Sequence, residues 1–362
     1  TSLHHDVQNG MIDFITRAQE AYADAWDHSL NIFASPWSPP AWMKRPTDQD
    51  SSNAIHASKM TYSHEPNCLR GELGPENSKY ARAWAKYFSK YIQAYKDHNV
   101  SFFAVSVQNE PEFNAPWEAC AFTAVDMTDF VAYHLGPVLK QNHPNLTVLG
   151  FDHNTDHVDL WMNTMLNATK SSHIAAQYVG GTAFHWYAGG MDRLLDGAVG
   201  ISNLHRLREN LQKLGLEDHL VLGSEACHCP TTGYAGGDIA IYWSRAERYA
   251  HAILADMAAG VQGWLEWNLI LDSIGGPNHL GNLCETTLLA APHRAVNNTE
   301  ELPPLPDFEH DLPFGGKILG DTRTREELNA LGFPAKYLDS GVVVQPIFYY
   351  MGHISRHVRP GS

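Results

Sequence analysis

Short apolar runs rich in β-branched or aromatic residues alternate along this chain with longer segments whose apolar residues recur every three or four positions. That alternation leaves few folds open. The spacing predicts strands at Asn31 to Trp37, Phe102 to Glu110, Leu146 to His153, Gly181 to Tyr187, Leu220 to Cys227 and Gly263 to Leu269. Helices are predicted at Met11 to Trp26, Asn77 to His98, about Asp126 to Gln141, Ser202 to Leu214 and Tyr242 to Ala259. In the second of these, Tyr80, Trp84, Tyr87, Phe88, Tyr91, Ile92 and Tyr95 share one face, with Asn77 or Ser78 placed to cap it; Gly260 closes the last. Strands that are continuously apolar and separated by helices imply a parallel sheet buried on both faces.

Bulk properties narrow the partners. With 362 residues and 44% hydrophobic content the chain can bury one large core, and its formal charge of -15 argues against nucleic acid or an anionic membrane surface as partner. The stretch from Ile253 to Trp267 is broken by Asp256, Gln262 and Glu266, so no run approaches the roughly 18 apolar residues that span a bilayer. The five cysteines cannot all pair with one another, and Cys227-His228-Cys229 lacks the spacing of a zinc knuckle. The 21 histidines are dispersed without a His-Glu-x-x-His motif, which disfavours a metal hydrolase. No metal and no cofactor are expected. Sequons at Asn145, Asn167 and Asn297 fit a secretory route.

Two strands end in glutamates, at Gln108-Asn109-Glu110-Pro111 and Gly223-Ser224-Glu225-Ala226. The C-terminal ends of parallel strands are where α/β barrels keep their chemistry. Two carboxyl groups roughly 5 to 5.5 Å apart can break a glycosidic bond with retention, one as acid/base and one as nucleophile. The plainer alternative is that Asn-Glu-Pro marks a loop and Glu225 merely ends a strand. In retaining barrel glycosidases these roles fall on strands four and seven, whereas the two glutamates lie on the second and fifth strands visible here. The common offset of two predicts two further strands before Met11. The expected fold is α/β, a TIM (β/α)8-type barrel truncated at its N-terminal side. Residues 1–285 would carry strands three to eight, 286–340 a Pro-rich acidic insertion, and 341–362 the last barrel helix region.

Longer segments carry a family resemblance: Ala34-Ser-Pro-Trp37-Ser-Pro-Pro-Ala-Trp42-Met-Lys44, Gln108-Asn-Glu-Pro111, Phe184-His-Trp-Tyr187, Ser224-Glu-Ala-Cys227, Gly263-Trp-Leu-Glu-Trp-Asn-Leu269, Gly275-Gly-Pro-Asn278 and Gln345-Pro-Ile-Phe-Tyr349. In this order they resemble glycoside hydrolase family 30, and within it the β-glucosidases that cleave glucosylceramide. The resemblance implies Glu110 as acid/base and Glu225 as nucleophile, with Trp37, Asn109, His185, Tyr187, Trp267 and Asn282 lining a glucose pocket. Such a pocket suits the physics of sugar binding, because indole faces cover C–H surfaces while amide, phenol and imidazole groups supply directional hydrogen bonds. Trp42, Trp186 and Trp264 are expected to fill core instead, and Glu266 to support the site. The resemblance also implies a β-sandwich, of which this chain holds at most a remnant.

The implied substrate is a glycolipid or β-glucoside, with peripheral contact to a membrane or a lipid activator and a lysosomal or secreted location. A β-1,6-glucanase or another family 30 carbohydrase shares the same chemistry and is the first alternative, since leaving-group choice resides in loops such as Pro46 to Gly74 and the 284–340 insertion. A chain that binds carbohydrate or lipid without turnover is the second.

Overall fold

The computed structural model describes residues 3–45, 67–113, 115, 117–167, 170–187, 199–228, 239–276, 283–291, 324–330 and 341–359. Asn282, the stretch 46–66 and most of the acidic insertion lie outside the described residues. The chain divides into two compact units. The first comprises Thr1–His153, His157–Phe184 and Arg206–Leu222, and the second Asn154–Asp156, His185–His205 and Gly223–Ser362.

Six strands form a parallel sheet in sequential order, β1 (Phe33–Ala34), β2 (Ala104–Ser106), β3 (Thr147–Asn154), β4 (Val179–His185), β5 (Leu220–Glu225) and β6 (Gly263–Trp264). Sequential parallel order requires a crossover after each strand, and helices supply it. The architecture is therefore the α/β class expected of part of a (β/α) barrel, with six strands as read from the sequence.

In the first unit, β2 aligns Ala104 with Phe33 on one side and with Thr147 on the other. Val105, Val107, Val148 and Leu149 are buried there. The Lys79–Lys96 helix buries Ala81, Trp84, Ala85, Phe88, Ile92 and Tyr95, the stripe that its period predicted. Ser78 takes the N-cap position, but its hydroxyl accepts from Arg82 Nη1 at 3.1 Å instead of from a helix N–H. Residues 124–142 are helical throughout, with a wider π-type turn over Val131–Leu135, and start from a Thr123/Asp126 capping box. A disulfide joins Cys68 to Cys120.

The second unit is built around aromatic packing. Trp186, fully buried, lies 4.6 Å from Tyr249 and 5.9 Å from Trp264 between ring centroids. The Ile239–Ala258 helix supplies Tyr249, Ala246 and Ala252 to this core, and Ile347 joins from the Pro346–His357 helix.

Several features differ from the sequence expectation. The strand expected over Gly263 to Leu269 is two residues long, and the chain then enters a second, three-stranded sheet. In that sheet β7 (Ile270–Asp272) pairs parallel to β8 (Leu288–Ala290), which pairs antiparallel to β9 (Val342–Val344). The helices Val158–Asn167 and Lys170–Ala175 between β3 and β4 were not anticipated. Trp42, expected in the core, is 47% exposed. It sits in the 3-10 turn Ala41–Met43, whose period of three turns its neighbours Ala41 and Met43 inward and leaves the indole at the surface.

Candidate active site

In the first unit the chain leaves β2 through buried Val107, Gln108 and Asn109 before reaching Glu110. Gln108 Nε2 donates to the carbonyl of Trp37 at 2.6 Å and to that of Asn109 at 2.9 Å, and Asn109 N–H donates to Pro36 O at 2.9 Å. These bonds sew the Trp37 loop to the glutamate-bearing turn. The loop is held from below by Lys44, a buried ammonium that donates to Ala119 O at 2.6 Å and Ser38 Oγ at 2.9 Å. Two sequence-predicted residues, Trp37 and Asn109, are thereby placed beside the predicted acid.

Glu110 itself has φ +46°, a left-handed backbone that a residue with a Cβ adopts only at some cost. Its N–H donates to Asp152 O at 2.9 Å, and its own carbonyl accepts from Phe113 N–H at 3.0 Å. Asp152 and its neighbour Phe151 are left-handed as well, so the C-terminal end of β3 departs from regular pleating where it meets Glu110. The Asp152 side chain, 1% exposed, accepts from Ser35 Oγ at 2.6 Å, and Ser106 Oγ donates to Ser35 Oγ at 2.9 Å. One hydroxyl relay thus links the ends of β1, β2 and β3. No local pattern in the sequence marks Asp152, because its partners are remote in the chain. Phe113 and Trp117 were not anticipated near Trp37 either: their rings lie 5.9 Å apart, with Trp117 6.4 Å from Trp37. For those two, aromatic residues in the loop just after the acid were a usable signal.

In the second unit Glu225 is the last residue of β5, and its carbonyl accepts from Trp186 N–H at 3.1 Å. Tyr187 Oη donates to Glu225 Oε1 at 3.2 Å and lies 3.1 Å from Cys227 Sγ. Burial, then Cys227 and Glu225, push the Tyr187 phenol well above its ordinary range, so it stays a proton-bearing donor toward the carboxylate. Buried His185 places Nδ1 3.8 Å from Glu225 Oε1. Trp267 N–H donates to Ala226 O at 2.8 Å, and the residue is 40% exposed. An exposed indole is suited to covering a sugar face. The structure thus places His185 and Tyr187 beside the Glu225 carboxyl and ties the Trp267 backbone to the residue that follows Glu225. Trp186 and Trp264 belong to the packed aromatic cluster, as predicted.

Behind this centre stand three further acids. Burial pushes the Glu266 carboxyl well above its usual range, Tyr249 opposes that by hydrogen bonding, and the charges of Glu285 and Glu225 add to it. Glu266 is thus held neutral beside a carboxylate. Glu285 is raised to about 7 by burial, moderated by Arg245, whose Nη1 is 3.7 Å from Glu285 Oε2, and by Arg248. Asp256 is likewise raised to about 7 by burial, with Trp264 Nε1 donating to its Oδ2 at 3.2 Å. Cys227 keeps its thiol in the contact with Tyr187, and Cys229 lies outside the described residues.

The chain is 32% identical over 286 residues to putative glucosylceramidase 4 of Caenorhabditis elegans, covering 77% of this chain and 47% of that protein. It is 26% identical over 340 residues to the lysosomal acid glucosylceramidase of Mus musculus, covering 92% of this chain and 50% of that protein. This chain thus spans about half the length of the curated relatives it matches. Among solved structures, SrfJ from Salmonella typhimurium shares the fold with a TM-score of 0.63 at 24% identity, covering 100% of this chain and 62% of that one. Residues 2–300 match the TIM-barrel domain of glycosyl hydrolase family 30, and the chain belongs to that family.

Proposed function

We propose that this chain carries the catalytic centre of a retaining β-glucosidase acting on a glucosyl lipid. The observation that carries the reading is the surroundings of Glu225: a carboxylate at a strand end, with the Tyr187 phenol donating to one oxygen and buried His185 beside it. Donors aimed at a carboxylate hold it ionised and oriented, which is what a nucleophile requires. Glu110, on the turn that follows another parallel strand of the same sheet, takes the complementary role.

In the first step Glu225 attacks the anomeric carbon, the bond to the leaving oxygen breaks, and Glu110 passes its proton to that oxygen. A glycosyl ester on Glu225 and a free alcohol result. In the second step Glu110 takes a proton from water, which attacks the same carbon and releases Glu225. Trp37, Asn109, His185, Tyr187, Trp267 and Asn282 are the proposed sugar contacts, and Glu266 a support that stays neutral. The names of the worm and mouse relatives favour a ceramide-type leaving group. The Cys68–Cys120 bond suits an oxidising compartment and so a lysosomal or secreted location.

The test uses the protein that contains this chain. Glu225→Ala is expected to abolish turnover, and a mechanism-based 2-fluoroglucoside is expected to label Glu225. Hydrolysis of glucosylceramide, with β-1,6-glucan left untouched, supports the lipid substrate; the reverse preference assigns the chain to the glucanase alternative. Full activity in Glu225→Ala removes the mechanism altogether.

A further inference from the structure

Two residues beyond the proposed acid/base, Glu112 turns its carboxylate away to a different element of the first unit. Glu112 Oε1 accepts from Trp161 Nε1 at 2.9 Å, and His157 Nδ1 lies 2.9 Å from Oε2 and 3.2 Å from Oε1. His153 Nε2 stands 3.9 Å from the same Oε2. Both oxygens of this one carboxylate are therefore engaged, and neither histidine nor the indole belongs to the proposed sugar pocket.

The anchors differ in rigidity. Trp161 is 4% exposed, sits on the Val158–Asn167 helix, and packs its ring 5.4 Å from that of Phe151. His157, at the end of the preceding 3-10 turn, has a half-exposed side chain. What they hold is a turn under conformational tension, because Glu110 at φ +46° relaxes toward ordinary backbone unless its surroundings forbid it. The bonds already described fix the turn on its upstream side, through Asn109 N–H and Glu110 N–H. Downstream, Pro111 has a restricted φ and its carbonyl accepts from Phe122 N–H at 3.0 Å, and Glu112 supplies a side-chain tie to buried structure.

We propose that Glu112, clasped by Trp161 and His157, is a positioning residue that holds the Glu110 turn in its strained, working geometry. The inference rests on the assignment of Glu110 as acid/base given above. Glu112 does not touch the substrate; it acts by keeping the proton donor in register with the leaving oxygen. General acid catalysis depends steeply on such register, since displacement of a catalytic group by about 1 Å costs on the order of 100-fold in rate.

Leaving-group dependence separates this role from general damage. An alkyl or lipid β-glucoside needs its leaving oxygen protonated, whereas 2,4-dinitrophenyl β-glucoside does not, and kcat/KM reads only the first step. For Glu112→Ala, kcat/KM on the alkyl glucoside is expected to fall ~10 to 100-fold while that on the dinitrophenyl glucoside stays within about twofold. Trp161→Phe, which keeps the ring and removes the N–H, is expected to show the same pattern in smaller measure. Glu112→Gln still accepts from the indole and is expected to restore most of the loss. Equal losses on both substrates, or none on either, overturn the proposal. Glu110→Ala, run in parallel, distinguishes the two levels: if it shows the leaving-group pattern and Glu112→Ala does not, only the positioning role falls. If Glu110→Ala lacks the pattern, the acid/base assignment falls and takes the positioning role with it.

Discussion

The Tyr187 phenol donates to Glu225 Oε1 at 3.2 Å while standing 3.1 Å from Cys227 Sγ, so one hydroxyl faces both a carboxylate and a thiol on the segment that ends β5. Its raised pKa keeps the proton on the phenol, and the contact orients Glu225 without neutralising it. Tyr187→Phe preserves the ring and deletes that donor. A hydrogen bond to a charged group contributes ~1.5 to 3 kcal/mol, so kcat/KM on a β-glucoside should fall ~10 to 100-fold. Steady-state kinetics with the thermal midpoint measured alongside will show whether the loss is catalytic; a change below about threefold argues against the contact.

Asp256 should make the stability of the protein depend on pH in a specific direction. Its carboxyl is raised by burial from 3.8 to about 7 in the folded chain. The folded state therefore keeps a proton that the unfolded state releases, and this contribution is complete below pH 3.8 and lost as pH rises toward about 7. Asp256→Asn stays neutral at every pH. Relative to the native protein it should gain stability between those limits by up to about 1.4 kcal/mol per pH unit. His219, lowered to about 4 by burial and then by Arg208, works in the opposite direction, but it is common to both proteins and cancels in the difference. Denaturant unfolding at several pH values supplies the comparison, and parallel curves would contradict the assignment.

Gly223 makes room for Trp264. A Cβ at this position would lie 2.7 Å from Trp264 Cδ1, in the packed core of the second unit, where the indole also touches Trp186 and Tyr249. Gly223→Ala should cost ~1 to 3 kcal/mol through overpacking. Pairing it with Trp264→Leu, which vacates the clashing edge, should recover part of that loss. Additive losses in the double mutant would show that the two positions are not coupled.

The Ser35 hydroxyl donates to the buried Asp152 side chain. Ser35→Ala removes the donor 2.6 Å from Oδ2 of a buried acceptor. A loss of ~1 to 3 kcal/mol is expected in equilibrium unfolding. Ser106→Ala, one step further along the relay, should cost less because Ser35 still reaches Asp152.

Periodicity made the long elements legible. The Met11–Trp26 helix and the apolar stripe of the Lys79–Lys96 helix follow directly from residue spacing. Both glutamates could be assigned to strand ends because β-branched runs precede them, and His185, Tyr187 and Trp267 came with the family segments. Two-residue strands such as β1 and β6 carry too little pattern to bound, so the sixth strand was read as running on to Leu269 and the second sheet beginning at Ile270 was not anticipated. Trp42 was misplaced because counting offsets from Trp37 assumes a uniform backbone, which the 3-10 turn interrupts. Asp152 and Glu112 could not be read at all: their meaning lies in Ser35, Trp161 and His157, partners that only the folded chain brings near.

The bond between Cys68 and Cys120 has a practical side. Cys68 N–H donates to Ala121 O at 3.0 Å, and Arg45 N–H donates to Cys68 O at 2.7 Å, so the cystine fastens the same strap of chain that seats Lys44 under the Trp37 loop. Production in a reducing bacterial cytosol would leave that strap unfastened, whereas export through an oxidising compartment would let it close. The choice of expression host thus bears on whether the strap beneath the Trp37 loop is covalently closed.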